Sequence, residues 1–448
     1  MEGHMTSSLR GAKGLGLVLL VIAVAAVALY ASLALRTVPQ TAEDASAAPS
    51  GQDSVPSGRP TAAGRPGTPR PAGSTDSSLA PDPSDHPSPT AAPDGPDASE
   101  PLPQEPAADL GPSDELRLRR VTTISGSLSP KSVVASQTGL FFAQNMMYRH
   151  TISVFDRDQE LVKTIRDSVD LAEYGFGDES RVVRGAPVEA AFTPDRSHVY
   201  VSQYSMYGSG FDNPGEDTCY PAEGRDDSFV YRIDVASLRI DQVLKVGATP
   251  KYLAVSPDGR VLVVANWCSY SVSIIETATG RELQRIPMGP YPRGITFDPA
   301  STTAYVALMG GTEIDKIDLA TYRVRRIRDV GVQPRHLVMS PDGRYLYASL
   351  DEGGGVIKID TATDQTVDRV QTGINPRSMD IAPDGRSLYV VNYESGTASK
   401  IRTEDMTVIQ DVNTAYHPIG ITYDAVSRQL WVACYSGIIV VFEDRPPR

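Results

Sequence analysis

The chain has 448 residues, 55 acidic against 42 basic, for a formal charge of −13, and 40% of its residues are hydrophobic. Such a length holds two or three ordinary domains, and neither composition nor location supplies the basic domain that a nucleic-acid binder needs. Three cysteines, Cys219, Cys268 and Cys434, are too few for a disulfide-built fold and leave one pair and one free thiol.

In chain order, the first feature is the uncharged run "LGLVLLVIAVAAVALYASLAL" over residues 15–35. It is long enough to cross a bilayer core of roughly 30 Å. Arg10 and Lys13 precede it and acidic residues follow, so the positive-inside rule places residues 1–14 in the cytoplasm and the rest outside. A cleaved signal peptide is the competing reading, because Ser32-Leu33-Ala34 resembles a small-residue cleavage site. Residues 36–115 are rich in Pro, Ala, Ser and Asp and lack the apolar runs that build a core. They are expected to form a disordered tether. From Thr37 to Arg117 the sequence has 13 acidic and 4 basic residues. Most of the net charge therefore lies outside the folding part.

Residues 116–448 repeat. Pro250, Pro292, Pro334, Pro376 and Pro418 stand 42 residues apart, each opening a phrase such as "PKYLAVSPDGRVLVVAN". Degenerate copies start at Pro187 and Pro130. Seven units of about 42 residues with several short strands predict an all-β, seven-bladed β-propeller of four-stranded blades. Asp-Gly in "SPDGR" supplies the turn between the first two strands. The seventh unit ends after its third strand, so residues near 116–125 are expected to complete it and close the ring, which removes an exposed sheet edge.

The phrase P-x-x-h-x-h-S-P-D-G-R-x-h-Y-V-x-N, with h hydrophobic, followed by "SVSIIETATG" resembles the YVTN-type propeller repeat of the YncE-like family. That resemblance covers about three quarters of the chain and implies the propeller fold. It leaves function open, because the repeat is shared by surface-layer proteins and lactonase-like propellers.

Register then places candidate site residues. Lys131, Lys251, Arg293, Arg335 and Arg377 each follow a repeat proline, at the mouth of the inner strands. A cationic mouth favours carboxylates or phosphates; alternatively, each cation bonds the next blade and knits the rim. Seventeen residues after the proline stand Tyr204, Trp267, Met309, Asp351, Tyr393 and Tyr435. They form either an aromatic rim suited to sugars or peptides or packing between blades. His336 and His417 follow or precede the same proline, and His150 lies in a loop of that face.

Two long segments without strands of their own, 167–186 and 205–227, break the period on that same face, and such loops are often functional. Cys219 in the second and Cys268 in the next blade are placed to form a disulfide in an oxidising compartment; Cys434 reads as a small buried residue. The carboxylates Asp212, Glu216, Asp217, Glu223, Asp226 and Asp227 lack the spacing of a calcium loop and read as a solvated acidic loop. No haem, zinc, phosphate-loop or nucleophile motif stands out, so neither metal nor cofactor is expected.

The sequence thus points to a membrane-anchored, extracytoplasmic, monomeric propeller. Its inserted face would bind an envelope protein, a peptide, a glycan or a small anion without catalysis. The alternatives are a lactonase-like hydrolase using the Arg335/His336 rim, and a cofactor-bearing electron-transfer propeller.

Overall fold

The computed structural model describes residues 111–447. The expected cytoplasmic segment, the membrane span over 15–35 and the tether up to residue 110 lie outside the described residues. Among the described residues no helix is long and apolar enough to cross a membrane.

The described chain is an all-β propeller of seven four-stranded antiparallel sheets. Blade three shows the repeat: Pro250–Val255 innermost, then Val261–Asn266, Ser271–Glu276 and Glu282–Pro287 outermost. The middle strands of each blade are buried on both faces, which is why they read as continuous apolar runs such as "VLVVAN". The outer strands alternate, as "eieiBe" over Glu282–Pro287, because one of their faces meets water.

The repeated phrase can be read residue by residue. Gly259 takes φ +73° in the "SPDG" turn, and a Cβ there would lie 3.2 Å from Pro194 of the preceding blade. The turn needs a left-handed residue and the blade contact needs a small one. Asn266, fully buried, donates to Ser273 Oγ (3.0 Å) and accepts from Gly247 N (3.1 Å). It ties the second strand to the third and to the incoming chain. Asn392 and Asn145 make the same bond to Ser399 and Ser153. The pairing of this asparagine with a serine of the third strand is therefore scaffold, since a buried amide donor is nearly always satisfied.

Blade seven is closed by the N-terminal strand Arg117–Ile124, which pairs with Ile438–Arg445. Across the seam with blade one, fully buried Trp431 stacks on Phe141 at 3.9 Å. Fully buried Lys400 of blade six donates to Asp444 at 2.6 Å and to Leu116 O at 3.1 Å. One cation thus holds the first and last strands of the propeller against the neighbouring blade.

Two expectations need correcting. The tether does not run to residue 115: Ser113–Glu115 forms a 3-10 turn. Asp114 is buried against Arg386 (2.7 Å) and Arg402 (3.4 Å), and Ser113 N donates to Asp384 (2.8 Å). Polar pairing, which composition does not reveal, holds this stretch. The 167–186 segment does have strands of its own, a hairpin of Ser168–Asp170 and Val182–Arg184. Val169, Leu171 and Val183 pack beneath it against Phe229 and Tyr231.

Candidate functional site

The inner strands start at the repeat proline, so the next residue of every blade stands at one end of the central channel. Five of seven are cations, and they approach closely enough to act on one another. Burial, followed by the charges of Arg293, Arg335, Lys251 and Arg377, holds the Lys131 ammonium well below its ordinary range. Burial and then Arg293 and Arg377 do the same to Arg335. For Lys251, burial outweighs its partner Asp217 and lowers the pKa to about 7. A gathering of mutually repelling, desolvated cations is costly to the fold.

The two sequence rings form one structure. Lys251 Nζ lies 3.7 Å from the Trp267 ring centroid and 5.3 Å from that of Tyr204. The Arg377 guanidinium lies 3.4 Å over Tyr393, and Lys131 Nζ donates to Tyr435 Oη at 2.5 Å. Arg335 reaches Met309 Sδ at 3.6 Å. Each of these contacts is to the residue seventeen after the proline in the same or an adjoining blade, so the aromatic positions line the cations. Of the five, Arg293 knits the rim in the bland sense, donating to Lys251 O at 3.1 Å.

The counter-charges are too few. Asp217 Oδ1 accepts from Lys251 Nζ at 2.6 Å and from Tyr204 Oη at 3.2 Å. Its main-chain oxygen accepts from Trp267 Nε1 at 3.0 Å. Desolvation pushes the Asp217 carboxyl upward, but the Lys251 charge and hydrogen bond prevail and hold it at about 2. Asp351 Oδ1 lies 3.5 Å from Arg335 Nη1 and 3.4 Å from Arg377 Nε, without a hydrogen bond to either. Arg335 Nε, Arg377 Nε and Asp351 Oδ1 are all buried with no hydrogen-bond partner. The third acid, Glu189, is pushed up to about 7 by burial, against the pull of Arg293 and Lys131. Five basic side chains therefore share two close carboxylates, Asp217 and Asp351.

One residue further along the inner strands lies a second ring: Ser132, Glu189, Tyr252, Gly294, His336, Ser378 and Gly420. All but Gly294 line a channel cavity of about 280 Å³. A Cβ at Gly294 would lie 2.6 Å from Arg335 O, so glycine is what lets the inner strands of blades four and five approach. His336 belongs to this layer, not to the rim where the sequence places it, because it lies one residue deeper along an inner strand whose pairing is irregular between Pro334 and Leu337. Its Nδ1 accepts from Met379 N (3.2 Å) and its Nε2 meets Tyr252 Oη (2.8 Å). Burial, then Arg293 and Arg335, lower its pKa to about 3. His417 does stand at the mouth, stacked on Tyr393 (3.9 Å) and Tyr416 (3.6 Å), with Nε2 3.4 Å from Glu394. His150 is elsewhere, its Nδ1 2.7 Å from Gly185 O. The three histidines are not brought together.

Cys219 and Cys268 form a disulfide, and the sulphurs sit against Glu216 O, which fixes the insertion one residue before Asp217. Cys434 is buried, and burial pushes its thiol up to about 12. The insertion's other acids are more than a solvated loop. Glu216 and Glu223 pair with Arg225, Asp227 pairs with Lys245, and Asp226 accepts from Asn213 N at 2.6 Å.

With this geometry in view, comparison with known proteins supports a propeller. Residues 305–428, under a third of the chain, match the family described as "Cytochrome D1 heme domain". No curated protein matches the sequence. Hydrazine synthase from Kuenenia stuttgartiensis has a similar solved structure, with TM-score 0.57 and 18% identity, covering 72% of this chain and 98% of that one. At that identity the likeness concerns the fold alone.

Proposed function

We propose that the chain is a non-catalytic binding protein that captures an anionic group, a carboxylate or phosphate, in the cationic mouth of its propeller. The observation that carries this reading is the pair of buried guanidinium nitrogens, Arg335 Nε and Arg377 Nε, that have no hydrogen-bond partner. Buried polar groups are nearly always satisfied, and arginine is suited to planar, paired recognition of carboxylate and phosphate. The aromatic lining suits a peptide, a glycan or a small anion. We assign the repeat to the YVTN type on its "SPDG" turns and buried asparagines. We place the propeller outside the cell, tethered by residues 15–35; the Cys219–Cys268 disulfide supports an oxidising compartment.

The lactonase-like alternative is weaker. His336, held at about 3, is a poor general base at neutral pH, where catalysis favours a pKa near the working pH.

The family match favours haem binding as a second reading. The channel residues do not fit a ligated haem. His336 has both ring nitrogens engaged, and His417 is covered on its ring faces by Tyr393 and Tyr416 with Nε2 turned to Glu394. Visible absorption of the purified full chain after adding hemin discriminates: a sharp, saturable Soret band supports haem.

The anion reading is tested by calorimetric titration of inorganic phosphate and of acetate into the full chain and its Arg335→Gln/Arg377→Gln variant. Saturable binding that the double variant loses supports it. No binding, or binding that the variant retains, overturns it.

A further inference from the structure

The cationic mouth continues into a cleft that a compact ion would leave empty. Asp351, the acid between Arg335 and Arg377, begins the segment "DEGGG" over residues 351–355. Gly353 and Gly354 take φ +93° and +63°, and a Cβ at Gly353 would meet nothing within 4 Å. The turn is open to solvent at Gly353, while Gly354 O accepts from Thr372 N at 3.2 Å and Gly355 is already buried in the third strand. Along one side runs an open cleft of about 410 Å³, from Asp351 past Gly353, Gly354 and Thr372 to Ile374 and Asn375. On the other side of the same loop a cavity of about 210 Å³ is lined by Val332, Leu350 and Val370. Val332 is 47% and Ile374 63% exposed. Two apolar side chains therefore flank an exposed glycine turn that leads, through Asp351, to two arginines with unmet donors.

The protein already shows what such a mouth accepts. Asp217 arrives on a peptide segment of the same chain, places its carboxylate on Lys251, and receives a bond to its main-chain oxygen from Trp267. This occupies one cation of the five. Arg335 and Arg377 lie toward the cleft in blades five and six, away from Asp217. Charge complementarity calls for a second carboxylate there, and the shape of the cleft calls for an extended chain behind it.

Resting on the anion reading, we infer that the occupant of the mouth is a protein partner. It lays an extended apolar segment over the Gly353–Gly354 turn, between Val332 and Ile374, and inserts an aspartate or glutamate side chain at Arg335 and Arg377. A small anion is the alternative that the test separates.

The experiment uses the full chain in detergent micelles. The probes are a pool of N-acetylated, C-amidated hexapeptides with apolar residues preceding a single Asp, the same pool with Asn, free acetate and inorganic phosphate. The variants are Val332→Ser/Ile374→Ser, whose exposed positions leave the fold intact, and Arg377→Gln. The Asp pool is expected to bind about tenfold or more tighter than the Asn pool and than acetate, on the scale of one lost charged contact. The double-serine variant is expected to lose about fivefold for the peptides, a fraction of full side-chain burial, while its phosphate and acetate affinities stay unchanged. Arg377→Gln is expected to weaken all the anionic probes. Asp peptides no tighter than acetate, or a double-serine variant with unchanged peptide affinity, overturns this inference while phosphate binding leaves the anion reading standing. Loss of every probe, phosphate included, removes both.

Discussion

Lys251→Met separates a site built for a ligand from one built for stability. Burial of the Lys251 side chain, 9% exposed, and the neighbouring Arg293 and Arg335 lower its pKa from 10.5 to about 7, against the pull of Asp217. At 1.36 kcal/mol per decade, keeping that charge in the folded protein is unfavourable by about 5 kcal/mol relative to the unfolded chain. Methionine fills a similar volume without the charge. It forfeits the contact with Trp267 at 3.7 Å, a loss of about 2 kcal/mol, and leaves Asp217, whose side chain is 88% exposed, to water. The variant should be more stable than the wild type by about 3 kcal/mol at pH 6. The sign follows from the depressed pKa. Between about 7 and 10.5 the unfolded chain binds the proton that the folded chain has released, so wild-type stability rises with pH and the advantage of methionine shrinks. Urea unfolding at pH 6, 8 and 10 measures this through the shift in midpoint at constant slope. A variant that is less stable at pH 6, or a difference that does not change with pH, refutes the reasoning.

Glu189→Gln should match the wild type at pH 4 and exceed it by up to about 3 kcal/mol at pH 8. The folded protein keeps a proton up to about pH 7 that the unfolded chain loses near 4.5, so wild-type stability falls across that interval; chemical denaturation at the two pH values checks it. Replacing both Cys219 and Cys268 by serine opens a bridge spanning a sequence separation of 49. It should cost about 3 to 4 kcal/mol, visible as a lower thermal midpoint that reductant no longer shifts. Trp431→Ala, at the seam between blades seven and one, should cost about 3 to 5 kcal/mol, whereas Tyr416→Ala at the exposed rim should stay within about 0.5 kcal/mol; urea midpoints distinguish them.

The fold was legible because a propeller repeats one packing problem, so prolines at equal intervals align every blade. The closing strand was legible for the same reason, from an unfinished seventh unit. The cations were legible at their positions, since register alone carries Lys131, Lys251, Arg293, Arg335 and Arg377 to one end of the channel. What opposes those charges was not. Asp217 comes from an insertion with no repeat counterpart, and only its docking on Trp267 and the disulfide reveals that it reaches Lys251. His336 sits one layer deeper than its position beside the proline suggests, because the irregular pairing between Pro334 and Leu337 does not show in the sequence. Glu189, Tyr252 and Ser378 carry no signal in the sequence, because they share a register position but no common chemistry. The hairpin over 168–184 is not legible in the sequence because its strands are three residues long, too short for alternation to show.

The most direct test of the central claim is a high-resolution crystal structure of the propeller grown with and without tungstate, a heavy tetrahedral dianion whose anomalous signal is unambiguous. Ordered tungsten density within hydrogen-bond reach of Arg335 Nε and Arg377 Nε is the predicted result. Tungstate bound only outside the mouth, with both nitrogens satisfied by groups of the protein itself, would contradict it.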